Sequence, residues 1–221
     1  MDNQFLVIGT SHVSKNSVKE IKSAIIEFKP DIVAVELDIN RYKNLFNKNR
    51  KRKINLKLIS EIGFFGFLFL LFGSISQKII GKKTGSSAGN DMKSAIIFGK
   101  KSGAKIALID QDIRITLRKL SKEVPLKEKL KLFTFAFKKN SSKAQFDVKK
   151  VPSQKKIKEL ISEFKSDFPN IYSCLVKDRD NYMKNQIKLL KNKFPDSKIL
   201  VVIGAGHKEK VEKFIENVEI K

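Results

Sequence analysis

Apolar residues along this chain fall into two patterns, unbroken runs and stripes spaced three and four apart. Phe5-Leu6-Val7-Ile8, Ile32-Val33-Ala34-Val35, Lys105-Ile106-Ala107-Leu108-Ile109 and Ile199-Leu200-Val201-Val202-Ile203 are the runs. Short, apolar and largely β-branched, and bounded by Gly, Pro or an acid, each predicts a buried strand. Val18, Ile21, Ala24, Ile25 and Phe28 form a stripe that predicts a helix capped by Ser14 or Asn16 and closed by Pro30-Asp31. Strand, helix and strand of this length read as a right-handed βαβ unit with parallel strands.

Met92, Ala95, Ile96 and Phe98 make a second stripe, behind an expected cap at Asn90-Asp91 and ending near Gly103. From Arg114 to about Lys193 the pattern stays helical: Pro125 starts one segment, Pro152-Ser153 caps another and a third runs from about Tyr172. A helix over 208–217 follows the last strand. The fold class expected is α/β, a central and mainly parallel sheet with flanking helices and an inserted helical region at about 113–195. Apolar runs near both ends predict a shared core, and 221 residues fit a single domain over 1–221.

The most apolar passage, Ile62 to Ile75, is expected to be a helix reaching to about residue 80. Its 14 residues fall short of the roughly 20 needed to span a bilayer. Being apolar all round, it must be covered. Two readings stand: an ordinary buried helix, or a peripheral membrane contact or homo-oligomer surface through residues 62–75, which the Lys-rich flanks favour. Gly81 to Gly89 reads as a loop; its Lys83-Thr84-Gly85-Ser86 lacks the spacing of a phosphate loop.

Charge adds a question about partners. A formal net charge of +23 invites a nucleic-acid reading. Against it, only Arg41, Arg50, Arg52, Arg114, Arg118 and Arg179 of the 46 basic residues are arginine, the side chain that supplies the bidentate fork. Nucleic acid is therefore not the expected partner, and Phe133, Phe135 and Phe137 are assigned to the core rather than to a base-stacking platform. The single cysteine, Cys174, cannot form an internal disulfide and fits a reducing compartment. No basic leader precedes Phe5, so a cytoplasmic location, with or without peripheral membrane contact, is expected.

The chemistry gathers at strand ends. The only two histidines, His12 and His207, each close the same sequence of apolar run, glycine, two small residues and imidazole: Gly9-Thr10-Ser11-His12 and Gly204-Ala205-Gly206-His207. Glycine at positive φ would let a sharp turn aim the ring back over the sheet edge. Glu36 ends the second run, where an acid is expensive to bury without a proton, a cation or a metal. Asp38 and Arg41 follow it and read as a helix cap and its ion-pair partner. Asp110, Asp112 and Arg114 repeat the arrangement beyond the third run. Ligands of open α/β sheets bind beyond the carboxyl ends of the strands. Two imidazoles and a carboxylate there can act in proton transfer or hold a metal with an open position.

Six blocks in order, Gly9-Thr10-Ser11-His12-Val13-Ser14, Glu36-Leu37-Asp38 with Arg41, Gly89-Asn90-Asp91-Met92, Ile109-Asp110-Gln111-Asp112-Ile113, Asp178-Arg179-Asp180-Asn181-Tyr182-Met183 and Gly204-Ala205-Gly206-His207, resemble the TraB/PrgY family. That family includes pheromone-shutdown proteins and is related to the Tiki metalloproteases and to ChaN and erythromycin-esterase-like folds. The resemblance implies a metal-dependent hydrolase acting on a peptide or other small substrate. Its centre would be His12, Glu36 and His207, serving both as catalytic groups and as ligands to Mn, Co or Zn, with Arg41, Arg114 and Arg179 binding substrate. The competing expectation is a non-catalytic protein that sequesters a peptide or anionic ligand at a membrane surface. The chain departs from the family pattern at Gln111, usually Arg; at Asp178, usually Glu; and at Lys208-Glu209-Lys210, where a glycine is usual.

Overall fold

In the computed structural model the four predicted strands form one parallel sheet. The structure describes residues 4–10, 15–47, 58–70, 89–139 and 154–219. His12 lies outside them, as do residues 71–88 and the side chains of Phe133, Phe135 and Phe137. The strands are β1 (Phe5–Thr10), β2 (Ile32–Val35), β3 (Lys105–Leu108) and β4 (Ile199–Gly204), in the spatial order β1-β4-β2-β3.

The strand made last is thus placed between the two made first. Phe5 and Ile32 both pair with Ile199, and Val35 pairs with Val202. The two chain ends share a core, as expected, but β1 and β2 are not neighbours. β4 is buried over its whole length, because it has a strand on either side and helices on both faces.

Strand alternation divides the sheet between two cores. Ile8, Val33, Val35, Leu200 and Val202 pack with residues of α1 (Lys15–Phe28) and α4 (Asn90–Lys101). Phe5, Ala34, Val201 and Ile203 pack with residues of α9 (Asp178–Lys193) and α10 (Ala205–Glu219). A third core is all helical, made by helix α3 (58–70), α5 (Ile113–Lys122), α8 (Pro169–Tyr172) and the π turn Ser173–Lys177 that leads into α9. The remaining helices are α2 (Ile39–Phe46), α6 (Leu126–Lys139) and α7 (Gln154–Asp167).

The apolar passage is, over 58–70, a helix that packs inward. Ile62 and Phe67 are buried against Leu117, Leu120, Val124 and Phe168, while Phe64 stays 66% exposed. Contact with α5 is close: a Cβ on Gly66 would lie 2.4 Å from the Leu117 carbonyl oxygen. No described helix is long and apolar enough to cross a membrane.

Two local expectations change. The cap of α4 is Gly89, at φ +81°, rather than Asn90-Asp91; Asp91 sits inside the first turn, buried, and accepts the Thr10 hydroxyl. The sharp glycine turn before His207 is also absent. Neither Gly204 nor Gly206 has positive φ, and β4 runs directly into α10 at Ala205, earlier than the predicted helix start. Glycine serves close packing here: a Cβ on Gly9 would meet Lys208 Cδ at 2.8 Å and Ala205 Cα at 3.3 Å.

Candidate functional site

Parallel strands deliver their following residues to one edge, and here that edge gathers Thr10, Glu36, Asp110 and the start of α10. Glu36 leaves β2 beside the end of β4. Its Oε2 accepts the Gly204 N–H at 2.5 Å, and its Oε1 accepts from Arg179 Nη2. His207, in the first turn of α10, brings Nε2 to 3.6 Å from the same Oε1. Insertion of β4 next to β2 makes this meeting possible.

The imidazole is held from behind. His207 Nδ1 is 2.5 Å from Asp180 Oδ1, and Asp180 Oδ2 accepts from Lys210 Nζ at 2.6 Å. Lys210 Nζ also donates to the Tyr172 hydroxyl at 2.6 Å. A carboxylate on Nδ1 favours a proton there and turns Nε2 toward Glu36. Burial alone would raise the Asp180 carboxyl; the hydrogen bond and charge of His207 and Lys210 outweigh it and hold the group below the ordinary range. Lys210, whose own charge burial opposes, is raised by Asp180 and Tyr172.

A second set of charges lies on the β3 side. Arg179 donates Nε to Asp110 Oδ1 at 3.1 Å and Nη2 to Asp110 Oδ2 at 2.5 Å, and Asp110 Oδ2 also accepts from Arg41 Nη2. Burial would raise Asp110, but the two guanidiniums prevail and lower it. Arg41 donates Nε to Asp38 Oδ2 at 2.6 Å, and Asp38 Oδ1 caps α2 through the Asn40 and Arg41 N–H groups. The cap-and-partner reading of Asp38 and Arg41 therefore holds.

The π turn bears on this side as well. Widening at Ser173–Lys177, where the Asp178 N–H reaches the Ser173 carbonyl, precedes the segment that turns Arg179 to Glu36 and Asp180 to His207. Arg179 Nη1 donates to the Leu175 carbonyl within the turn at 3.3 Å, which fixes the guanidinium further.

Of the residues singled out in the sequence, Glu36, His207 and Arg179 meet directly, and Arg41 joins them through Asp110. Arg114 stands at the surface, where it pairs with Asp112, the α5 cap, at 2.6 Å. Gln111 donates Nε2 to Thr116 Oγ1 at 3.1 Å. Asp180 and Lys210 were not assigned roles from the sequence. The former stood inside the Asp178-Arg179-Asp180 block, and the latter inside the departure after His207.

Whether these donors fit a metal can be judged from their spacing. Two ligands bound at about 2.0–2.1 Å to a tetrahedral ion are about 3.4 Å apart. The 3.6 Å between His207 Nε2 and Glu36 Oε1 fits that edge. Asp180 behind the imidazole is the partner that ligating histidines usually have. Among the described residues no group of three His, Cys, Asp or Glu side chains converges as a metal site. A cleft of about 530 Å³ lined by Lys29, Asp31, Ser102, Lys105 and Ser197 lies at the opposite, amino end of the strands, away from this chemistry.

The model of the TraB/PrgY/gumN family matches residues 2–220. An uncharacterized protein of Methanocaldococcus jannaschii is 37% identical over 216 residues, covering 96% of this chain and 53% of that protein. A TraB domain-containing protein of Mus musculus is 23% identical over 231 residues, covering 94% of this chain and 61% of its own length. The chain spans a little over half the length of these relatives. With nearly every residue inside the family match, the chain belongs to the TraB/PrgY/gumN family.

Proposed function

We propose that this chain is a metal-dependent hydrolase acting on a peptide or other small substrate, with its centre at the contact between Glu36 and His207. The observation that carries the reading is the way His207 is held, with Nδ1 on Asp180 and Nε2 3.6 Å from Glu36 Oε1. His207, Glu36 and His12 would hold Mn, Co or Zn. A divalent ion in such a site supplies Lewis acidity and a water of lowered pKa.

The chain's own groups have separable tasks. Asp180 keeps the imidazole proton on Nδ1, so that Nε2 is available to a ligand or a proton. Lys210 and Tyr172 hold Asp180 in place. Arg179 and the Gly204 N–H fix the two oxygens of Glu36 and so hold the carboxyl where it can accept a proton from an attacking water. Among the described residues Arg41 engages only Nε and Nη2, and its side chain is 31% exposed, which suits it to a substrate carboxylate or a developing oxyanion.

A sequestering protein that binds without turnover is the second reading. Its support is that both oxygens of Glu36 already accept donors from the protein.

The test is elemental analysis of the purified chain together with turnover of a mixed peptide set. We expect about one divalent ion per chain and cleavage, both lost in Glu36→Gln, His12→Ala and His207→Ala. Asp180→Asn should retain the fold and lose about 10–100-fold in metal affinity or rate. Stripping the metal with a chelator should stop cleavage and re-addition should restore it. Wild-type protein that takes up none of these metals would end the metal reading, and one that binds peptide without cutting it would favour sequestration.

A further inference from the structure

Among the described residues, the outer edge of β1 has no partner strand. Ile199 donates its N–H to the Gln4 carbonyl at 2.8 Å, and the register runs unbroken from Phe5↔Ile199 to Thr10↔Gly204. Alternate residues of a strand address opposite neighbours, so Leu6, Ile8 and Thr10 turn their main-chain groups to β4. Those of Phe5, Val7 and Gly9 point the other way. Among the described residues no strand lies beside them.

Natural sheets blunt such edges with lysine, proline, bulges or very short strands. β1 uses none of these: it has six residues, no charge, no proline and no break in register. The other open edge, β3, has four residues and begins at the exposed Lys105. The side chains of Phe5 and Ile8 are already committed to the two cores. Among the described residues, what remains to be satisfied along β1 is main chain, and main chain is satisfied by a strand.

The edge also leads to the site. Thr10 pairs with Gly204, whose N–H holds Glu36, and Lys208, next to His207, packs over Gly9. A second copy of this chain is a poor occupant, because each copy carries a net charge of +23 and the two would repel. The same charge attracts an acidic partner.

We propose that the β1 edge captures an extended, acidic peptide by main-chain pairing with the half-buried Val7 and Gly9, and so presents it to the Glu36–His207 centre. Capture stands by itself; presentation rests on the hydrolase reading. Pairing of this kind draws affinity from backbone hydrogen bonds and tolerates many side chains.

The test uses the full chain and a fluorescein-labelled Asp-Asp-Thr-Val-Thr-Val-Thr-Asp-Asp peptide, read by anisotropy. Wild type should bind it at least tenfold more tightly than an analogue N-methylated at alternate amides, and more tightly than a version with lysine flanks. Val7→Pro removes one outward N–H without touching the ladder to β4, a substitution that edge strands accept. It should weaken binding at least tenfold, whereas Val7→Thr, which keeps the N–H, should not. If Val7→Pro does not fold, amide exchange on wild type answers instead: peptide should slow exchange at Val7 and Gly9 and leave Ile106 and Leu108 unchanged.

Equal binding of the N-methylated analogue, protection at Ile106 and Leu108, or protection of Val7 through self-association without peptide would each overturn the proposal. Peptide bound at the edge but never cut leaves it standing and ends the hydrolase reading. Peptide cut by Val7→Pro with unchanged KM ends it and leaves the hydrolase reading standing.

Discussion

Asp110 holds two arginines from different parts of the chain, Arg41 and Arg179, and is itself buried. Its folded-state pKa lies below the unfolded value of about 3.9, because the guanidiniums outweigh the cost of burial. The stability it contributes is therefore fully present above about pH 4 and is lost as pH falls through the lowered value. Asp110→Asn leaves Arg41 paired, among the described residues, with Asp38 alone and Arg179 with Glu36 alone, and should cost about 3 kcal/mol at pH 7, the lower end of the range for breaking a buried pair. That gap should narrow as pH falls below about 4 and through the lowered value, and urea midpoints for both proteins across pH 2.5–7 measure it. A gap independent of pH would mean that Asp110 acts through packing alone. At this scale the sequence exposes the groups that stand at strand ends, and Glu36, His207 and Asp110 are found there. It conceals partners set by helix packing: Asp180 is 27 positions from His207 and reaches it only because α9 and α10 share a face of the sheet.

Close approach of helices explains the apolar passage better than its hydropathy does. Ser121 of α5 inserts its hydroxyl into the ladder of α3, accepting the Gly66 N–H at 2.6 Å and donating to the Ile62 carbonyl at 2.7 Å. Gly63, at φ +74°, lies between these two positions, and a side chain there would collide with Ser121. Ser121→Ala should strand both backbone groups and cost about 1–3 kcal/mol, read as a lower urea midpoint with an unchanged slope; a loss under ~0.5 kcal/mol would show that α3 closes its own ladder once the hydroxyl is gone. All four strands were legible as apolar runs with clear breaks, and so was the helical stretch after β3. The cap of α4 and the start of α10 were not, because the first depends on a left-handed glycine and the second on a strand passing straight into a helix. Neither leaves an apolar pattern.

Strand order is a property of the whole molecule, and it ties the site to the completion of the fold. β4 lies between β1 and β2, so until residues 199–204 arrive β1 has no partner and β2 has only β3. The sequence could not reveal this, since each strand reads as buried whichever neighbours it has. Burying Ile199, Leu200, Val201, Val202 and Ile203, all at 0% exposure, contributes about 1.5–3 kcal/mol per side chain. Five such residues give roughly 8–15 kcal/mol, the size of the entire net stability of an ordinary domain. A chain ending at residue 194 should therefore lose its cooperative unfolding transition altogether rather than melt at a lower midpoint. Far-ultraviolet circular dichroism through a urea titration distinguishes the two: the full chain should unfold in a sigmoid and the shortened chain along a featureless slope, with residual helix from α5 to α9. A sigmoid in the shortened chain with a midpoint near that of the full chain would mean that β1, β2 and β3 assemble without β4. In that case the meeting of Glu36 and His207 would be a late addition to a sheet that stands by itself, rather than a consequence of its closing.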